Sequence, residues 1–247
     1  MTKSLMRQEL TAKTKSLSRQ DFFFVRQHNY DDLAERSLPH YREGHDILMR
    51  ILAAHAETKT DAPTRALDLG TGSGVTADAV LKALPHITLT AVDLFPEMID
   101  DATHRLAHWG QRVRLVAGDN TDFLRANSEK FDIVTAAFCI HHLDVAGKQD
   151  IFTRIYDALQ PGGLFILLDL TTFADPILRA NARQDTESYM RSRVTDANTQ
   201  AEWLNHWNNI NKPDPADDQV AWLRRAGFQA ETVCRWFEVA LISARRP

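Results

Sequence analysis

The sequence predicts an α/β fold with a mostly parallel sheet, and three observations carry that prediction. From Thr64 to about Leu170, short apolar runs alternate with helix-periodic stretches, the pattern of strands joined by crossover helices. The apolar run Ala66–Leu69 leads directly into the glycine-rich turn Gly70-Thr71-Gly72-Ser73-Gly74 and then a helix start at Val75. Near the C-terminus, strand candidates Gln229–Arg235 and Phe237–Ser243 leave no room for a crossover helix. They must pair antiparallel, because a parallel pair needs a dozen or more connecting residues.

Taken in order, residues 1–20 read as a basic, solvated tail, with Lys3, Arg7, Lys13, Lys15 and Arg19 against Glu9. Residues 21–60 form a helical cap that begins with Phe22-Phe23-Phe24 and Tyr30 and breaks at Pro39. The strands expected next are Ala66–Leu69, Ile87–Val92, Val113–Val116, Phe131–Phe138 and Leu164–Leu170. Helices are expected between them near Val75–Leu84, Pro96–Trp109 and Gly147–Leu159, with Pro161-Gly162-Gly163 as a turn. Residues 173–218 are polar, charged and rich in Trp and Arg, as a helical lid would be. Lys212–Asp218 reads as a loop and helix start, and a helix at Val220–Arg225 ends at Gly227. The core is thus residues 64–172 and 219–246, and residues 1–247 are expected to form a single domain.

Composition sets the bounds. The 247 residues, 44% hydrophobic and 25% charged, suit one large globular domain. No apolar run reaches the length of a membrane span, and the polar N-terminus lacks a secretory signal's apolar core. Cys139 and Cys234 fit a reducing cytoplasm and have no companions at metal-ligand spacing. A net charge of −4 supplies no field for nucleic acid.

The glycine turn is the sharpest chemical signal. Glycine is needed where backbone approaches a ligand closely or takes a positive φ, and such ligands sit at the carboxyl ends of parallel strands. The dinucleotide fingerprint G-x-G-x-x-G would put its third glycine at Val75, whereas here it comes one place early, at Gly74. Asp68 precedes the turn by two residues. A pyrophosphate prefers bare amides, while an amino-acid ammonium favours a carboxylate, so the spacing favours S-adenosyl-L-methionine. Asp93 ends the second strand, where it can accept both ribose hydroxyls or serve as a turn residue before Pro96. Asp119 ends the third, where it can accept from an adenine amino group or remain an ordinary loop aspartate. Three successive strand ends bearing suitable groups form a constellation.

The blocks ALDLGTGSG, AVDLFPEMI, AGD, FDIVTAAFCIHHL, LQPGGLFILLDL and LRRAGF…FEVALISARR, spanning about Ala66 to Arg246, resemble the class I S-adenosylmethionine-dependent methyltransferases. That resemblance implies a Rossmann-like seven-stranded sheet of order 3-2-1-4-5-7-6 with strand 7 antiparallel, and a lid inserted after strand 5. It implies that Asp68, Gly70 and Gly72 meet the methionine end, Asp93 the ribose, and Asp119 with Asn120 the adenine region, with Thr71 and Leu94 also binding the cofactor. The stretch YDDLAERSLPHYREGHDIL resembles the helical entry of the carboxy-S-adenosylmethionine synthase branch, which implies that Tyr41 contacts the cofactor's carboxylate region. That branch holds an extra carboxylate with a lid arginine, and Ala201–Asn209 contains none. Its strand-four asparagine falls at Ala137. Both departures point to ordinary methyl transfer.

Methyl transfer from a sulfonium needs alignment, exclusion of water and, for a protonated nucleophile, a base of near-neutral pKa. Strand four delivers His141 and His142 to the sheet's carboxyl edge. His141 is the preferred base, with His142 beside it, and packing or hydrogen-bonding roles are the alternative. Adjacent residues on an extended segment diverge, so these two are not expected to share a metal. His40, His45, His104, His108 and His206 show no trustworthy ligand spacing either. Trp203, His206 and Trp207 share a helical stretch that serves either as core between lid and sheet or as a substrate box. An aromatic-lined pocket would favour a small planar or apolar acceptor over nucleic acid. Residues Ala136-Ala137-Phe138-Cys139 after strand four provide no block of the kind RNA methylation would lead one to expect. Cofactor modification and non-catalytic cofactor binding stay open, as does a homodimer.

Overall fold

The computed structural model describes residues 30–57 and 65–247. The basic tail and Phe22-Phe23-Phe24 lie outside the described residues. Helices α1 (Tyr30–Ser37) and α2 (Tyr41–Glu57) come first, separated at Pro39. Then follow β1 (Arg65–Leu69), α3 (Val75–Ala83), β2 (Thr88–Asp93), α4 (Pro96–Leu106), β3 (Val113–Ala117), α5 (Asn120–Ala126), β4 (Phe131–Ala137) and α6 (Val145–Ala158). The chain closes with β5 (Leu159–Leu170), α7 (Pro176–Arg193), α8 (Ala197–Asn209), α9 (Ala216–Arg225), β6 (Gln229–Trp236) and β7 (Val239–Arg245).

The seven strands form one sheet of order β3-β2-β1-β4-β5-β7-β6. β1 to β5 pair parallel, and β7 runs antiparallel to both β5 and β6, as the short Phe237-Glu238 connection requires. Alternate side chains of β5 divide between the faces. Ile166, Leu168 and Leu170 join α2, α3 and α4 in one core, while Phe165 and Leu167 join α6 and α9 in the other. Helix α2 lies close on the sheet because Gly44 faces Leu168; a Cβ there would come within 2.9 Å of that side chain.

Several local expectations need correction. Strand β5 begins at Leu159, ahead of the expected turn. Leu159 pairs with Phe131, the register then shifts, and regular pairing resumes at Leu164, with Gly162 kinked at a φ of 72°. Helix α4 stops at Leu106, and the chain tightens into a 3₁₀ segment over Ala107–Arg112. Helix α5 was not expected, because seven residues give too little periodicity to read. The segment carrying the paired histidines, Ile140–His142, is a 3₁₀ turn, not extended chain, so their rings meet at 4.0 Å between centroids instead of diverging.

Candidate active site

A cavity of about 260 Å³ opens at the carboxyl ends of β1, β2, β4 and β5, roofed by α1, α2 and α8. The chain leaves β1 and turns through Gly70 and Gly72, at φ values of 64° and 55°. Gly70 has a second reason to be glycine, since a Cβ would sit 2.4 Å from that of Cys139. The turn is held by hydrogen bonds to side chains from neighbouring strand ends. Gly70 N donates to Asn120 Oδ1 at 3.3 Å, and Gly72 N donates to Asp93 Oδ2 at 2.8 Å.

Asp93 lines the cleft, and its Oδ1 also accepts from Phe95 N at 3.0 Å. Burial raises its carboxyl, while the Phe95 and Gly72 amides pull the other way. Asp119 and Asn120 line the same end. The Asp119 side chain caps α5 by accepting from Asp122 N at 2.9 Å. Thr71 and Leu94 complete this wall. Asp68 is different. Its carboxylate lies behind the glycine turn, 1% exposed, and accepts from Thr135 Oγ1 at 2.7 Å. Its Oδ2 and the nearby Thr71 hydroxyl are both buried, and that hydroxyl also favours the charged carboxylate. Burial pushes the Asp68 carboxyl up to about 6, against the pull of the Thr135 hydroxyl.

Helix α2 brings Tyr41 to the cleft, where its ring stacks on Phe138 with centroids 5.4 Å apart. Phe138 is fixed at a φ of 52° where β4 ends, a conformation costly to a bulky residue. His45 secures α2 from below: its Nδ1 donates to the Tyr41 carbonyl, and its Nε2 faces Thr76 Oγ1 at 3.1 Å. Helix α1 closes the rim through Asp31, which accepts from Ser73 Oγ at 2.5 Å and pairs with Arg105.

His141 and His142 line the cleft beyond the glycine turn. Asp169, near the end of β5, accepts from His141 Nδ1 at 2.5 Å, from His141 N at 2.9 Å and from Leu170 N at 2.8 Å. A carboxylate can only accept there, so Nδ1 carries the proton and Nε2 is left to the cleft. The His141 carbonyl accepts from Lys212 N at 2.9 Å. The His142 ring packs tilted against His141 and meets His206 edge-on at 5.9 Å. Burial pushes its pKa well below that of a free imidazole, with His141, His206, Lys212 and Lys148 adding to the effect. It is therefore neutral at neutral pH. Cys139 is held as a thiol, its pKa raised by burial and by Asp169. Trp203 and Trp207 stack at 4.4 Å, and they belong both to the core and to the cleft wall. Among the described residues no cluster of His, Cys, Asp or Glu could hold a metal ion.

Residues 67–165 match the sequence profile of a methyltransferase domain. The chain is 26% identical over 222 residues to the carboxy-S-adenosyl-L-methionine synthase of Helicobacter hepaticus, covering 88% of this chain and 90% of that protein. The synthase of Aeromonas salmonicida is 26% identical over 213 residues, covering 85% and 83%. Among solved structures, an O-methyltransferase family protein from Burkholderia thailandensis shares the fold, with a TM-score of 0.65 at 18% identity. The match covers 96% of this chain and 66% of that one. The chain thus has the fold of the class I S-adenosylmethionine-dependent methyltransferases and, over residues 67–165, matches a methyltransferase domain.

The glycine turn fits S-adenosyl-L-methionine on its own terms: two positive-φ glycines clear space, and the buried Asp68 carboxylate lies behind them. Sequence reasoning brought most of the cleft together but missed Asp169, Asp31 and Asn211. A carboxylate near a strand end, inside Phe165–Leu170, was the available signal for Asp169. No helix among the described residues is long and apolar enough to cross a membrane.

Proposed function

We propose that the methyltransferase moves a methyl group to a small-molecule nucleophile, with His141 as general base and Asp169 as its positioning partner. The His141–Asp169 pair carries this reading. Bound in the cleft, S-adenosyl-L-methionine would supply an electrophilic sulfonium methyl group, with the thioether as leaving group. The glycine turn, Thr71 and Tyr41 receive the methionine end, and Asp93 with Leu94 the ribose. Asp119 with Asn120 lies at the adenine end. Asp169 fixes the His141 ring and its tautomer, and Nε2 takes the acceptor's proton. Neutral His142 packs against that ring and leaves its electrostatics to Asp169. Helices α7 and α8 act as the lid that excludes water.

The synthase relatives favour a second reading, modification of the cofactor itself. Ala137 on β4 and the want of any lysine or arginine among the described cleft residues weigh against it, since an added carboxylate would meet no cation among them. His141→Ala should lower turnover by about a hundred-fold or more while leaving cofactor affinity within about two-fold. A wild-type rate in a folded His141→Ala protein refutes the base assignment, and a carboxylated cofactor retained on purification would decide for the second reading.

A further inference from the structure

The cleft has a second half that the cofactor-facing residues do not account for. Beyond His141 it is walled by Leu38, Leu170, Trp203, Trp207, His142 and Asn211. Four of these six residues carry aliphatic or indole side chains. The indoles of Trp203 and Trp207 stand one helical turn apart on α8 and overlap in a stack, 7% and 6% exposed. Stacked indoles present a face or an edge that suits a planar ring.

Charge is the second observation. Among the described cleft residues the ionisable side chains, besides Tyr41 and Cys139, are acids and histidines: Asp31, Asp93 and Asp119 at the cofactor end, and His141, His142 and His206 at the other. Neither lysine nor arginine lines it. The cations nearest His142 are Lys148 and Lys212, and neither is a wall residue. Lys148 is buried against Asp214 at 2.5 Å, and Arg183 lies over the Trp207 ring while pairing with Glu238. His142 is held neutral. A carboxylate or phosphate on the acceptor would therefore lose its water and meet no lysine or arginine in the described wall, a penalty that disfavours it.

Hydrogen bonding is the third. The Nδ1 of His142 and the Oδ1 of Asn211 are buried in this half without partners. Both can accept, so a ligand that brings a donor satisfies them.

We propose that the acceptor is a flat, uncharged aromatic hydroxyl compound, seated against Trp203 and Trp207 with a hydroxyl toward His141 Nε2. The assignment rests on the base reading given above, because an imidazole can remove a phenolic proton as the oxygen attacks, whereas an aliphatic alcohol is too weakly acidic. Asn211 is the specificity-determining residue: it holds, with no charge, the position where an anion-binding site would need a cation.

Equilibrium binding to protein saturated with S-adenosylhomocysteine tests the substrate class without requiring turnover. Naphthol is expected to bind at least about ten-fold tighter than its ring-carboxylated analogue hydroxynaphthoate. Trp207→Leu should weaken naphthol by about ten-fold, with Trp207→Phe retaining most of the affinity and showing that the site still folds. Asn211→Arg should narrow or reverse the preference for naphthol. Equal or tighter binding of hydroxynaphthoate to the wild-type protein, or no measurable binding of naphthol, overturns the proposal. The base assignment fails separately, since it is read from the turnover of the folded His141→Ala protein, whereas the preference for naphthol over hydroxynaphthoate is read at equilibrium in the wild-type protein.

Discussion

Asp68 shows what a single residue contributes to this site and what it costs. Its folded pKa of about 6 stands above the ordinary value of 3.8, because burial penalises the charge and the Thr135 hydroxyl offsets part of that penalty. The folded chain therefore holds this proton more tightly than the unfolded chain does. The stability associated with the neutral form is complete below about pH 4 and is lost as pH rises through about 6. The gap corresponds to on the order of 3 kcal/mol. Asp68→Asn should accordingly stabilise the ligand-free protein above pH 6 by on the order of 1–3 kcal/mol and leave it unchanged near pH 4, while weakening the cofactor. Denaturant melts at both pH values would measure this. An Asn variant no more stable than wild type at pH 7 would mean that the carboxylate is not strained. The strand-end acids Asp93 and Asp119 were legible in the sequence because a glycine turn and strand termini are local signals. Asp169 was not, because it sits inside the apolar run Leu164–Leu170 and its partner lies 28 residues back. The capping role of Asp119 was hidden for a related reason: it depends on a helix of seven residues.

At the scale of elements, the segment between α8 and α9 is tied down by a buried ion pair. Lys148 on α6 is fully buried and donates to the Lys212 carbonyl and to Asp214, whose side chain is 22% exposed. The same segment holds the His141 carbonyl through Lys212 N and joins β5 through Thr172 N and the Asp214 carbonyl at 3.1 Å. The two partners are not equivalent. Asp214→Ala leaves a cation with no access to water, whereas Lys148→Met leaves an anion that can be hydrated. Asp214→Ala should cost about 3 kcal/mol, Lys148→Met clearly less, and the double variant should resemble Lys148→Met. Chemical denaturation of the three proteins would check this order, and a larger loss for Lys148→Met would contradict it. Periodicity marks α6 readily but says nothing of this role, since Lys148 reads in sequence as a polar helix residue. The same limit governs the ends of elements. The glycine kink that opens β5 and the 3₁₀ turn that faces His141 toward His142 are set by contacts with other strands, while the alternation of apolar runs and the hairpin at Phe237-Glu238 are written locally.

For the whole molecule, the cleft unites parts distant in sequence: Asp31 of α1, the turn after β1, the end of β2, the turn after β4 and two tryptophans of α8. The glycine turn is held by side chains from three separate parts of the chain, Asp31, Asp93 and Asn120, and a ligand that fills the cavity adds contacts the empty fold lacks. Binding to the folded state alone raises stability by RT ln(1 + [L]/Kd), about 2.7 kcal/mol at a hundred times Kd. For a chain of this size that amounts to roughly 5–10 °C in Tm. S-adenosylhomocysteine at such an excess should produce that rise in the wild-type protein. At the same concentration Asp93→Ala should show almost none, because it removes the carboxylate proposed to accept both ribose hydroxyls. The Asp93 carboxylate also accepts from Gly72 N and Phe95 N, so the ligand-free variant is expected to melt somewhat lower, and the comparison rests on the ligand-induced shift within each protein. A shift in Asp93→Ala equal to the wild-type value would separate the second strand's carboxylate from cofactor binding and return it to the role of a turn aspartate.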